Sequence, residues 1–145
     1  MPKALIVHSS RSGQTKIIGD LVAEGLRMTG VEVNILDAKK IKDESELEEY
    51  DILVFGSATY HGEMMQGMKT LLFLSEKADL AGKIGAAFGA FGWSGEAPDR
   101  IYGTMENIFK MTMVKEPLRL KSSSLGGGIQ MAQDYGREIA GMMSS

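Results

Sequence analysis

At 145 residues the chain suits one domain, spanning 1–145, large enough to bury a core without covalent staples. The lack of cysteine excludes a disulfide framework and a thiolate metal site, and a formal net charge of -3 argues against nucleic acid as the main partner. No segment approaches the roughly 20 apolar residues of a membrane span, so a soluble cytoplasmic protein with no membrane association is expected.

The first strand is read at Ala4-Leu5-Ile6-Val7-His8, with His8 in a structural role. The loop Ser9-Ser10-Arg11-Ser12-Gly13-Gln14-Thr15 follows, and then a helix whose face is marked by Ile17, Ile18, Leu21, Val22, Gly25 and Leu26 and which stops near Gly30. A strand, a loop of small hydroxyl residues with one glycine, and a helix start make an anion cradle, because hydroxyls, backbone N–H groups and the helix dipole converge on one point. The same stretch also fits an ordinary turn, capped by Ser12 or Thr15 with Gly13 supplying a free backbone angle. There is no G-x-x-x-x-G-K-[ST] run and no G-x-G-x-x-G after the strand, so a monophosphate is a better match than a triphosphate or dinucleotide.

Val31, Val33 and Ile35 alternate with polar residues, as in a half-buried strand at a sheet edge. The segment Asp37 to Tyr50, polar and acidic towards its end, reads as a solvated face with one short helix anchored by Leu47 and Tyr50, the alternative being a surface that steers a basic partner. Asp51 to Ser57 is continuously apolar at its centre, the mark of a strand covered on both sides. Ala58 to Gln66 follows as a loop, and Met68, Leu71, Leu72 and Ser75 trace the next helix. Ile84 to Phe91 is a central strand of small residues, and Phe91 to Pro98 is a third loop. Pro98 fits a helix's first turn, with Ile101, Met105, Ile108 and Phe109 on its buried face. Met113 to Lys121 reads as a last strand in which Pro117 permits an edge position or bulge. After Gly126-Gly127-Gly128, the residues Ile129, Ala132, Gly136, Ile139, Ala140 and Met143 trace the final helix.

Strands alternating with helices specify an α/β three-layer sandwich: a five-stranded parallel sheet of order 2-1-3-4-5 with helices on both faces. In such sheets the ligand lies beyond the carboxyl ends of the strands, where the strand order reverses. The loops after the first, third and fourth strands should therefore meet at one edge. Tyr60 and Trp93 stand in two of them; Trp93, flanked by Gly92 and Gly95, also fits a tryptophan packed under its own loop. Two aromatic residues above a phosphate site would hold a planar ring between them, which is the shape of flavin mononucleotide (FMN).

At these residues the chain resembles the flavodoxin family. Its phosphate loop pattern Thr/Ser-x-Thr-Gly-x-Thr is matched by Ser10-Arg11-Ser12-Gly13-Gln14-Thr15. The loops Gly56 to Gly62 and Phe91 to Ala97 look most like those of the flavodoxin modules of flavo-diiron proteins, and with no insertion in the fifth strand the chain is similar to short-chain members. The resemblance implies that Ser10, Arg11, Ser12, Gly13, Gln14 and Thr15 hold the FMN phosphate. It further implies that Ala58, Thr59, Tyr60, His61 and Gly62 line one side of the ring and Phe91, Gly92, Trp93 and Gly95 the other. Tyr60-His61-Gly62 stands where many flavodoxins have an aromatic or methionine followed by Gly-Asp, and a peptide between Tyr60 and Gly62 is favoured as the one that answers flavin reduction. His61 fits a titrating group near the ring or an ordinary exposed loop histidine.

The function implied is one-electron transfer through FMN between redox partner proteins by a monomer, with no catalytic residue of its own. An FMN-dependent NAD(P)H:quinone oxidoreductase is the alternative on the same loops, and a cofactor-free signalling module is a third. A phospho-receiver would want an acidic pair after the first strand, where Ser9 and Ser10 stand.

Overall fold

A computed structural model of the chain describes residues 2–10, 13–60, 63–90, 96–120 and 127–144. Successive residues of a strand face opposite sides of a sheet. Along β1 (Lys3–Ser9), Ala4 and Ile6 accordingly enter one core and Leu5 and Val7 the other, all fully excluded from solvent. β3 (Ile52–Ser57) and β6 (Ile84–Ala90) are buried along their whole length, as their uninterrupted apolar and small residues require. β2 (Glu32–Asp37), at the sheet edge, buries Val33 between exposed Glu32 and Asn34 and is half-buried from Ile35 to Asp37.

The strands pair in parallel in the order β2-β1-β3-β6, as expected, with β1 between β2 and β3. Helices α1 (Gln14–Met28) and α5 (Gly128–Gly141) cover one face. The short α2 (Ser45–Glu48), α3 (Gln66–Ser75) and α4 (Glu96–Asn107) cover the other. Each fully buried Leu, Ile or Phe in these two cores contributes about 1.5–3 kcal/mol.

The fifth place in the sheet differs from the expected single strand. It is filled by two short pieces, β7 (Thr112–Met113) beside Ile84 and Gly85, and β8 (Leu118–Leu120) beside Phe88 to Ala90. Between them the carbonyls of 114–116 leave the ladder, and two tyrosines receive them. Tyr102 on α4 donates to Val114 O and lies 3.2 Å from Lys115 O. Tyr135 on α5, 5% exposed, reaches Glu116 O at 2.8 Å and Ala87 O at 3.1 Å. Pro117 has no N–H to offer, so the break costs the ladder little there. Burial pushes the Tyr135 hydroxyl well above its ordinary range, which keeps it a donor. Tyr135→Phe is expected to cost about 1–2 kcal/mol, because it leaves a buried carbonyl without a partner; a shift in the urea midpoint at unchanged slope measures it.

The segment after β3, expected as a loop, contains a hairpin of β4 (Thr59–Tyr60) and β5 (Glu63–Met64), Thr59 pairing with Met64 and Tyr60 with Glu63. Ile17, Ile108, Ile129 and Met143, expected on buried helix faces, are 46%, 57%, 52% and 38% exposed. One residue turns a helix by 100°, so Ile18 takes the core position and Ile17 does not. Ile108 lies past the end of α4, where Ile108 N and Phe109 N both bond Thr104 O and the stripe loses its phase.

Candidate functional site

Parallel pairing brings the carboxyl ends of β1, β3 and β6 to one edge. Ser9 stands opposite Ser57, Gly56 opposite Phe88, and Ala58 N–H donates to Ser9 O at 3.1 Å. Adjacent strands lie about 4.8 Å apart, so the exits of β1 and β6 are about 10 Å apart. The three loops singled out in the sequence therefore start side by side. Arg11, Ser12, His61, Gly62, Phe91, Gly92, Trp93 and Gly95 lie outside the described residues.

At the first loop, Gly13 takes φ 88, a left-handed conformation that glycine adopts without strain, and it turns the chain from β1 into α1. Ser10 Oγ accepts the Lys16 N–H at 2.9 Å, so this hydroxyl caps α1 from outside the helix and keeps its own proton to donate. The first turn of α1 carries no acidic side chain, and its partial positive charge meets no carboxylate of its own turn. Gln14 opens the helix. Thr15 is 1% exposed, and its Oγ1 has no hydrogen-bond partner among the described residues. An orphaned buried hydroxyl costs about 1–3 kcal/mol, and an anion at the start of α1 that accepts from it would remove that cost. By this observation the residues present fit a phosphate.

The second loop is fastened to its neighbours. Ser57 Oγ accepts from Met65 N at 2.9 Å, and Thr59 Oγ1 accepts from Ala97 N at 3.1 Å, where α4 begins. Thr59 was expected beside the ring; its hydroxyl joins the second loop to the helix after the third. The Glu63 carboxylate bonds Lys69 on α3 and Arg100 on α4. Sequence reasoning passed over Ser57, Glu63, Lys69 and Arg100, since contacts between separate elements leave no periodic signal.

His8 is 5% exposed and its Nδ1 has no partner among the described residues. Burial pushes its pKa below the ordinary 6.5, helped by Lys16 and opposed by Asp37 and Asp20. A histidine held neutral in the fold contributes stability that is full above 6.5 and is lost as pH falls from there through the lowered value. His8→Gln is expected to flatten the decline of the urea midpoint of the flavin-free protein between about pH 7 and about pH 5, while the unsubstituted protein declines across it.

A parallel sheet with helices on both faces, and a buried hydroxyl, unpaired among the described residues, at the start of its first helix beside the carboxyl ends of three strands, defines the class: an α/β domain whose described residues fit an anion at that edge. The profile of the flavodoxin domain family matches residues 5–133, and the chain belongs to that family. The flavodoxin homologues of the family are FMN-binding flavoproteins. A flavodoxin of Clostridium saccharobutylicum is 33% identical over 87 residues, which make up 59% of this chain and 54% of that protein. A solved flavodoxin from the domain Archaea is 31% identical with a TM-score of 0.92, and 99% of each chain is covered. The Flv1 flavodiiron core from Synechocystis, at 22% identity and TM-score 0.88, shares the fold over 99% of this chain and 36% of its own length. The chain thus spans about half of the clostridial relative and about a third of the flavodiiron core. Among the described residues no helix is long and apolar enough to cross a membrane.

Proposed function

We propose that residues 1–145 form one FMN-binding unit that carries single electrons between redox proteins as a cytoplasmic monomer, without an enzymatic step of its own. The observation that carries this reading is the Thr15 hydroxyl, buried without a partner among the described residues at the start of α1, on the edge where β1, β3 and β6 end. When bound, FMN supplies the one-electron redox chemistry. The chain binds and orients it. Ser10, Arg11, Ser12, Gly13, Gln14 and Thr15 take the phosphate through hydroxyls and backbone N–H groups at the positive end of α1. Ala58, Thr59, Tyr60, His61 and Gly62 line one side of the ring, and Phe91, Gly92, Trp93 and Gly95 the other. The tie between Thr59 and Ala97 supports this arrangement, because it keeps the second loop and the exit of the third in fixed relation.

A visible absorption spectrum of the FMN-reconstituted protein during stepwise reduction tests the reading. One flavin per chain, two separable reduction phases and no rapid bleaching by NAD(P)H alone are the expected results. Rapid bleaching with turnover of a quinone would replace the carrier with an oxidoreductase. A colourless protein that ignores added FMN would overturn both.

A further inference from the structure

Glu63 stands directly opposite Tyr60 in the β4–β5 hairpin. Its two carboxylate oxygens go to different elements: Oε2 accepts from Lys69 Nζ on α3 at 2.8 Å, and Oε1 from Arg100 Nη1 on α4 at 2.5 Å. Each strand of the hairpin has only two residues, and so short a ribbon does not hold its place by its own ladder. The first strand's side is tied by Ser57 to Met65 and by Thr59 to Ala97, while on the second strand the side-chain ties to the helices come from Glu63. Each ion pair is partly exposed and weak taken singly, but one carboxylate shared by two helices fixes a direction as well as a distance. We infer that Glu63 is a positioning residue: its carboxylate, held between Lys69 and Arg100, sets where the hairpin stands at the carboxyl edge and so how the second loop meets the flavin ring. The inference rests on the FMN reading above. The Lys69 hydrogen bond, with the charges of Lys69 and Arg100, holds the Glu63 carboxyl below its ordinary range, so the clamp stays charged to more acidic pH than a free glutamate would.

Glu63→Gln, Lys69→Met and Arg100→Met, made singly, test it in the whole chain with and without FMN. In the flavin-free protein, amide exchange across 59–65 is expected to quicken at least about threefold in each variant, as local opening becomes easier. In FMN-loaded protein each variant is expected to bind FMN about threefold to tenfold more weakly. The midpoint potential of bound FMN is expected to move in the same direction in all three, since each loosens the same hairpin. The charge exchange E63K/K69E is expected to recover part of what E63K alone loses. Potentials that move in opposite directions for E63Q and K69M would mean that the charges act only through their field, and that overturns the positioning role. Unchanged exchange and affinity would overturn it as well. If the unsubstituted protein takes up no FMN, the proposed function fails, and the clamp is then judged by amide exchange alone.

Discussion

Thr15→Val is expected to weaken FMN binding by about tenfold to a hundredfold and to leave the flavin-free protein as stable as before or more so, by up to about 1 kcal/mol. The two effects have opposite sign because the hydroxyl has opposite value in the two states. Without the ligand, Oγ1 is buried and without a partner among the described residues, so a methyl of the same shape removes a desolvation cost. With a phosphate at the start of α1, the same hydroxyl donates to a charged oxygen, the stronger kind of hydrogen bond. Fluorescence titration of apoprotein with FMN reads the first effect, and urea unfolding reads the second. A variant that lost stability and kept its affinity would make Thr15 an ordinary core residue.

Gly25→Ala is expected to carry the largest stability cost, more than about 3 kcal/mol, with a fall in Tm of about 10 °C. A Cβ built at Gly25 would stand 2.0 Å from the backbone oxygen of Gln133 and 3.1 Å from Gly136 Cα. From the other side, a Cβ at Gly136 would stand 2.2 Å from Val22 O. These are backbone atoms of two helices in contact, and no rotamer change relieves the clash. Either α1 and α5 separate, and the packing of Val22, Leu26, Ala132 and Ile139 opens with them, or the helices bend. Since α1 begins at the phosphate cradle, FMN affinity is expected to fall along with Tm. Gly141→Ala serves as the control: a Cβ there meets nothing within 4 Å, so the substitution is expected to be neutral or slightly stabilising. Differential scanning calorimetry of both variants separates a packing clash from a general effect of adding a methyl group.

The sequence made the sheet legible where one physical signal dominated. The continuous apolar run in β3 marked a strand covered on both faces, the short run Ala4 to His8 marked β1, and the stripe Met68, Leu71, Leu72 and Ser75 returned the four buried residues of α3. Tyr135 escaped notice because what it does depends on carbonyls at Ala87 and Glu116, 48 and 19 residues away, which no local pattern encodes. Pro117 announced an irregularity in the last strand, but the tyrosines that permit the break come from two different helices. The hairpin of Thr59–Tyr60 with Glu63–Met64 was too short for alternation to show. At the site, hydroxyls in a strand-to-helix turn pointed to a phosphate, but their division of work depends on how the turn folds: Ser10 caps α1, and Thr15 is left with nothing to bond among the described residues.

Recognition of a phosphate at the start of α1 is the basis of FMN binding here, and titrating the flavin-free protein with FMN and with riboflavin, which lacks the phosphate, tests this most directly. FMN is expected to bind at one per chain and at least about a hundredfold more tightly than riboflavin, the return on several charge-assisted hydrogen bonds. Equal affinity for the two, or binding of neither, would contradict it.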